Sequence, residues 1–266
     1  MTWSYIPKYF LRERVNVSLL LFALAGSIAQ LVDGALGMGF GLLSSTLLLT
    51  LGASAALAST AVHMAEIFTT LASGASHWHA ENIDKKVLLQ LAIPGGIGAF
   101  LGAMFLSFID LSTGKIFIST ILLFLGFLLL YRNLFASMTS NIVEIKNPRY
   151  FSYLGFTGGF VDASGGGGWG PIVTPTMMTT TSLEPRKIIG TVSAAEFIVA
   201  VSASTGFLIN INRIEMDWNV VAGLAIGGTL MAPIAAKIVG KLPRKQLAIL
   251  VAIAIIAING YRLLIS

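Results

Sequence analysis

Four acidic residues lie inside or beside long apolar stretches, where charged side chains are rare: Asp33, Glu66, Asp162 and Glu196. A charge at the bilayer centre costs about 2.5–3.5 kcal/mol on insertion scales, so such residues normally face a bundle interior or a wet cavity. There they can take up coupling protons or exclude anions until protonated. The alternative is structural, with glutamates as protonated or hydrogen-bonded links between helices and aspartates as helix caps. We expect coupling or gating roles for all four.

A glycine-rich stretch follows each of the two aspartates, at 34–41 and at 165–170. Consecutive glycines do not form a stable helix interior, and they let backbone N–H groups approach a ligand closely. Pro171 suits the first turn of a following helix, and a helix N-terminus attracts anions. Close helix packing is the alternative reason for the glycines. No Lys-Ser/Thr pair follows, which argues against a nucleotide-phosphate loop.

The residues that we expect to bind substrate are these glycines and nearby hydroxyl side chains that can replace the hydration of an anion. They are Gly37, Gly39, Gly41, Thr60, Ser164, Gly165, Gly166, Gly167, Gly168 and Ser193.

His63 precedes Glu66 by three residues, so both side chains would share a helix face. Because histidine titrates near neutral pH, the pair can act as a proton relay, and we group His63 with the coupling residues. His77 and His79, with Glu81, could bind a metal ion, but histidine at the end of an apolar segment is more often interfacial. We therefore predict no metal site and no cofactor.

The composition is that of a membrane protein. Hydrophobic residues make up 55% of the 266 residues and charged residues only 11%, with a mean hydropathy of +0.83. A soluble domain carries about 25% charged residues. The formal net charge of +5 is scattered over short loops rather than forming a basic stripe, so no nucleic-acid partner is expected. The absence of cysteine excludes disulfides and thiolate chemistry.

The chain contains ten apolar segments, and within each half two short ones around a glycine-rich break precede three of full length. The segments are about 15–32, 41–51, 54–78, 87–108, 114–135, 150–162, 169–180, 188–210, 218–240 and 245–265. A bilayer span needs about 20 residues, so the short pieces indicate broken or re-entrant helices.

The two halves also match in sequence. Residues 32–41 align with 161–170 at an offset of 129, and 62–66 align with 192–196 after a one-residue adjustment. We therefore predict an all-α polytopic membrane bundle of two duplicated halves. Its parts are an N-terminal tail (1–14), a first membrane repeat (15–135), a connecting loop (136–149) and a second membrane repeat (150–266).

Three or five crossings per half would make the repeats inverted, whereas four would make them parallel. In the inverted arrangement, which we favour, eleven basic residues lie on one side and six on the other. Lys85, Lys86, Arg186 and Lys187 belong to the larger group, which makes their side cytoplasmic by the positive-inside tendency. The basic residues of the N-terminal tail argue for the opposite orientation.

The chain resembles the TauE/SafE family of sulfite exporters and related anion permeases over about 15–265. The resemblance rests on the Asp-Gly-x-x-Gly-x-Gly-x-Gly stretch at 33–41, the glycine-rich run at 165–171 and the duplicated helices that carry Glu66 and Glu196. The first half lacks an unbroken glycine run, so the two loops need not have equal roles.

The resemblance implies a secondary transporter of sulfite, sulfonates or other small organosulfur anions in the bacterial inner membrane, coupled to protons or another ion. A passive anion channel is the main alternative. An intramembrane enzyme is disfavoured, because neither a Gly-x-Ser-x-Gly nor a His-Glu-x-x-His motif occurs. The expected partners are the small anion, the lipid bilayer and, in a homo-oligomer, further copies of the chain.

Overall fold

In the described part of the chain, ten α-helices overlap the ten predicted apolar segments. The computed structural model describes residues 8–135, 147–214, 216–238 and 244–265, and within these it leaves out the side chains of 8–18, 35, 148, 236–238 and 244. Residues 1–7 of the predicted tail and 136–146 of the connecting loop lie outside the described part. The helices are α1 (Lys8–Leu36), α2 (Phe40–Thr50), α3 (Ala55–His79), α4 (Lys85–Phe108), α5 (Leu111–Phe135), α6 (Pro148–Gly165), α7 (Trp169–Thr180), α8 (Pro185–Ile209), α9 (Trp218–Ile238) and α10 (Arg244–Ile265).

Six helical stretches are long and apolar enough to cross a membrane, by length and composition. They are Ala55–His79, Lys85–Phe108, Leu111–Phe135, Pro185–Ile209, Trp218–Ala235 and Lys245–Ile265. Many large apolar side chains on these helices face outward, among them Phe124, Leu230 and Leu250. In lipid this apolar surface needs no cover, and the protein is a multi-pass membrane protein.

The short helices α2 and α7 have 11 and 12 residues. At about 1.5 Å per residue they reach less than 20 Å, short of the roughly 30 Å hydrocarbon core. Each follows a break of three residues, because α1 ends at Leu36 before α2 begins at Phe40, and α6 ends at Gly165 before α7 begins at Trp169.

The long helices pack mainly on helices from the other half of the chain. α1 packs on α9 and α6 on α4, while α3 packs on α8 and α5 on α10. Two of these contacts bring backbones together: a Cβ on Gly159 would collide with the carbonyl of Gly95, and one on Gly227 with the carbonyl of Ala23. Such close approach is how membrane helices gain packing energy in a solvent as apolar as they are. The interleaved halves enclose both breaks at the centre of the bundle.

Candidate functional site

Asp162 joins the end of α6 to the start of α7. Its main-chain carbonyl accepts hydrogen bonds from the amides of Gly166 and Gly167, at 2.8 and 3.1 Å. Its Oδ1 accepts from the amides of Gly168 and Trp169, at 2.7 and 2.9 Å. The φ angles of Gly166 and Gly167, 74° and 136°, lie in the region that favours glycine. One buried aspartate thus accepts from four consecutive amides across the break: its carbonyl from the two that follow α6, and its carboxyl group from the two at the start of α7, which have no helical partner.

Asp33 has a related but looser position between α1 and α2. Its carbonyl accepts from the amide of Gly37 at 2.6 Å, and its Oδ1 lies 3.5 Å from the amide nitrogen of Phe40. Gly37 and Gly39 have φ of 69° and 147°. In both breaks, therefore, the aspartate caps the short helix that follows.

At the starts of the two short helices a few amides have no hydrogen-bond partner among the residues that the structure describes. The N–H groups of Gly41 and Leu42 lie in the first turn of α2, and that of Gly170 lies in the first turn of α7, where no helical carbonyl precedes them. Pro171, next in α7, has no N–H to offer. All four residues line one cavity. This cavity therefore contains the positive ends of two helix dipoles.

The glycine-rich stretches 34–41 and 165–170, which contain the two breaks, touch each other at Gly41, in the first turn of α2, and Gly167. A Cβ on Gly41 would lie 2.6 Å from Gly167 Cα, and a Cβ on Gly167 would collide with the backbone of Gly41 and Leu42. Next to this contact, the Ser45 hydroxyl donates to the carbonyl of Gly166. Only glycine permits this approach, so the breaks of the two halves cross at one point.

Glu66 on α3 lies at this crossing. Its Oε1 is 3.2 Å from the place that a Cβ on Gly41 would take, and the residue is 3% exposed. Its Oε2 is buried and makes no hydrogen bond within the described part of the chain. Leaving a buried polar group unpaired costs about 1–3 kcal/mol, and more for a charged one. The position therefore suits a carboxyl group that takes up a proton or meets a ligand.

His63, also on α3, binds Asp162 across the halves. Its Nδ1 lies 2.7 Å from the carbonyl oxygen of Ser59, which can only accept, so Nδ1 carries a hydrogen. Its Nε2 lies 3.1 Å from Asp162 Oδ2. For Nε2 and Oδ2 to form a hydrogen bond, one of the two atoms must carry a proton, so the proton is on either the imidazole or the carboxyl group. A further cross-link is the Ser59 hydroxyl, which donates to the carbonyl of Ala163 at 2.6 Å.

Glu196 on α8 completes the group of carboxylates. One cavity is lined by all four, Asp33, Glu66, Asp162 and Glu196. The volume of this cavity that the centre of a water molecule can reach is about 10 Å³, so the cavity has room for roughly one water. No lysine or arginine lines this cavity or its neighbour in the described part of the chain. The site is therefore strongly acidic unless several of its groups hold protons.

The neighbouring cavity shares three carboxylates, Asp33, Glu66 and Glu196, and is otherwise lined mostly by neutral polar side chains. The remaining lining residues are Gln30, Phe40, Thr69, Thr70, Ser73 and Ser193.

His63, Glu66 and Asp162 each offer a ligand atom, and these atoms lie within 4.8 Å of one another. Such a set could hold a metal ion, and the same atoms can hold a proton. At the other histidine cluster considered from the sequence, His77 Nδ1 lies 3.5 Å from the side-chain nitrogen of Asn82.

The glycines expected to bind substrate have different positions. Gly39, Gly41 and Gly167 line the cavity of the four carboxylates. Gly37, Gly166 and Gly168 shape the breaks through the bonds to Asp33 and Asp162. Gly165 packs on α5, because a Cβ there would lie 2.5 Å from a methyl group of Ile121.

Among the hydroxyl residues expected to bind substrate, Ser193 lines the neighbouring cavity. Thr60 and Ser164 instead donate within their own helices, each at 2.6 Å, to the carbonyls of Ala56 and Phe160. Their hydroxyl hydrogens are therefore already in use.

Sequence reasoning missed four polar residues of the neighbouring cavity: Gln30, Thr69, Thr70 and Ser73. The three on α3 follow Glu66 by three, four and seven positions, a helical spacing that could have identified them. Gln30 precedes Asp33 by three positions in the apolar C-terminal part of α1, which is a similar but weaker signal.

A polytopic helix bundle that encloses crossing helix breaks and a cluster of carboxylates is the architecture of a membrane transporter. The family model of the sulfite exporter TauE/SafE family matches residues 22–262, and the chain belongs to that family. The resemblance expected from the sequence is thereby confirmed.

Two relatives from Bacillus subtilis (strain 168) carry transporter names. The chain is 45% identical over 249 residues to "Probable membrane transporter protein YtnM", covering 92% of this chain and 83% of that protein. It is 26% identical over 232 residues to "Probable membrane transporter protein YdhB", covering 85% and 91%. No solved structure matches the chain significantly. Family and relatives together make this protein a membrane transporter.

Proposed function

We propose that this transporter moves a small anion, such as sulfite or a sulfonate, and that Glu66 and Glu196 carry the coupling protons. The observation that carries the proposal is the buried, unpartnered Oε2 of Glu66 beside the crossing of the two helix starts. The family description supplies the class of substrate.

We further propose that the two halves are inverted repeats, as the odd crossing count predicts. Three candidate membrane spans lie in each half of the described chain, which is an odd number. The packing of the helices supports the duplication itself, because exchanging the halves turns the contact of α1 with α9 into that of α6 with α4. The contacts of α3 with α8 and of α5 with α10 map onto themselves. In such a transporter the substrate site lies at the interface of the repeats, near the bilayer midplane. The breaks meet at that interface.

The anion would bind at the two helix starts. The amides of Gly41, Leu42 and Gly170 lie in first helical turns and have no partner among the described residues, and these residues line the cavity that Glu66 and Glu196 share. Because Asp33 and Asp162 occupy the adjacent amides, these aspartates act as caps rather than as substrate ligands. Expansion of the one-water cavity is required before an anion can enter.

Protons are needed because ionised carboxylates repel the anion. Two like charges about 4 Å apart repel by about 4 kcal/mol at an effective dielectric constant of 20. Protonation of Glu66 removes this repulsion and turns Oε2 from an acceptor into a hydrogen-bond donor. Binding of the anion and binding of the proton would then favour each other, which is the requirement for coupled transport. The His63–Asp162 pair would pass on or hold one further proton.

The test is uptake by proteoliposomes of sulfite and a set of small sulfonates, with and without an inward proton gradient, against protein-free vesicles. We expect the gradient to drive accumulation above equilibrium, and Glu66→Gln and Glu196→Gln each to reduce gradient-driven uptake at least tenfold. Glu184→Gln, at an exposed residue paired with Arg186, is the matched control and should transport normally.

Normal gradient-driven uptake in both glutamine variants would refute the carboxylate mechanism. Uptake that never exceeds equilibrium under any imposed gradient would favour the alternative, a passive anion channel.

A further inference from the structure

A row of polar side chains leads away from the carboxylates along one face of α3. Thr69, Thr70 and Ser73 follow Glu66 at helical spacing, and all four line one cavity. From Glu66 to Ser73 the row rises about 10 Å towards the C-terminal end of α3. The hydroxyl groups of Thr69 and Thr70 donate to the carbonyl of Glu66, so their oxygens can still accept a hydrogen bond from water in the cavity.

Helices α1 and α8 complete the cavity. Gln30 on α1 is 4% exposed, and it lines the cavity opposite the row on α3. Ser193 on α8 donates to Ser73 at 2.8 Å, across the contact between α8 and α3. The charged groups that face this space are Asp33, Glu66 and Glu196. The polar lining is thus continuous from the carboxylates to the hydroxyl pair of Ser73 and Ser193.

The other half of the chain lacks this row. At the offsets of 129 and 130, Gln30 corresponds to Gly159, and Thr69, Thr70 and Ser73 correspond to Val199, Ala200 and Ala203. The three apolar residues are fully buried, at 0% exposure.

Gly159 is also closed to a larger side chain, since a Cβ there would collide with the carbonyl of Gly95. The difference between the halves lies in the sequence, so a change of conformation does not remove it.

The polar row points to a defined face of the membrane. The amide of Asp84, just after α3, donates to Thr191 in the first turns of α8 at 2.9 Å, so the end of α3 and the start of α8 lie together. Lys85, Lys86 and Arg186 stand at this end, which the positive-inside tendency makes cytoplasmic.

We propose that the space between Gln30, Thr70, Ser73 and Ser193 is a one-sided aqueous passage that carries protons between this face and Glu66. The hydrogen bond between Ser73 and Ser193 closes it, and the apolar counterpart at Val199, Ala200 and Ala203 admits no water. The passage would deliver the coupling protons, so it rests on the proposed function.

The chain has no cysteine, so single-cysteine variants need no altered background. Ser73→Cys is compared with its counterpart Ala203→Cys, and Thr70→Cys with Ala200→Cys, in proteoliposomes of known orientation. A charged, membrane-impermeant methanethiosulfonate is added from either side. We expect Ser73→Cys and Thr70→Cys to react at least tenfold faster than their counterparts, and from one side only.

Labelling should also lower the rate of proton-driven uptake by Ser73→Cys at least tenfold, whereas the same treatment should leave the rate of Ala203→Cys unchanged. Equal reactivity within each pair, or reaction from both sides, would overturn the passage. One-sided labelling together with uptake that does not depend on the proton gradient would support the passage and overturn the proton-coupled function. Failure of the passage and failure of the proposed function are therefore distinguishable.

Discussion

His63 Nε2 on α3 lies 3.1 Å from Asp162 Oδ2 on α6, while Oδ1 of the same carboxyl group accepts from the two amides that start α7. One side chain of the second half is therefore bonded both to its own break and to the helix that carries Glu66. A proton or an anion that disturbs the contact of Asp162 with His63 therefore also affects its contacts with the start of α7, and the reverse holds too. This relationship gives a physical route by which the carboxylate cluster can move the break.

The cap at Asp162 should contribute more to stability than an ordinary helix cap. Asp162→Ala leaves buried amides of Gly168 and Trp169 unpaired, so we expect a loss of about 2–4 kcal/mol. Asp162→Asn keeps an oxygen acceptor and should lose less than half of that. Thermal unfolding in detergent, followed by intrinsic fluorescence, measures the difference.

Asp84→Ala is the matched control, because Asp84 caps α4 in a partly exposed place through the amides of Lys86 and Val87, both at 3.0 Å. Its loss should stay within about 0.5–2 kcal/mol. A drop in melting temperature for Asp162→Ala no larger than for Asp84→Ala would contradict the assigned role.

The link between His63 and Asp162 predicts non-additive effects on transport. His63→Gln and Asp162→Asn each disrupt the same shared proton, so the double variant should be no slower than the slower single variant. The coupling free energy from the uptake rates should be about 1–3 kcal/mol. Strictly additive rate losses would show that the two residues act independently.

The crossing of the breaks predicts that Gly41→Ala and Gly167→Ala abolish uptake and lower stability, since each added methyl group meets backbone atoms of the other break. Gly260→Ala is the control, because its Cβ would meet only Leu123 Cδ1, at 3.9 Å. That change should be neutral or stabilise by up to about 1 kcal/mol. Normal uptake by Gly167→Ala would mean that the breaks do not touch in the working protein.

Arg132 on α5 compensates for Pro175 in α7. Pro175 has no N–H, so the carbonyl of Pro171, four residues earlier, loses its helical partner. Arg132 Nη1 lies 3.3 Å from that carbonyl. We expect Arg132→Met to cost about 1–3 kcal/mol in the natural sequence and less than about 1 kcal/mol in a Pro175→Ala background, where the helix restores the bond. An equal cost in both backgrounds, measured by thermal unfolding, would exclude this compensation.

The helices were predictable because each apolar run stands out in the sequence from the polar residues or glycines on either side of it. The breaks were predictable because glycines interrupt those runs directly after Asp33 and Asp162. The sequence left open whether the aspartates cap helices or take part in coupling or gating, and the contacts of Asp162 with Gly168 and Trp169 favour the cap.

Long-range contacts could not be predicted in the same way. His63 and Asp162 are 99 positions apart, and no local pattern pairs them. The spacing of His63 and Glu66 correctly predicted that both side chains lie on one face of α3. It did not predict that Asp162 is the partner of the imidazole. The hydroxyl groups of Thr60 and Ser164 looked available in sequence, whereas in the fold they donate to carbonyls one turn earlier.

The most direct test of proton coupling is to record proton movement driven by the substrate itself. A pH-sensitive dye is enclosed in proteoliposomes, and a transported sulfonate is added outside without any imposed pH gradient. A sulfonate stays ionised near neutral pH, so it brings in no proton of its own. The account predicts internal acidification that accompanies uptake and is lost in Glu66→Gln. Sulfonate uptake without acidification, or equal acidification in Glu66→Gln, would contradict it.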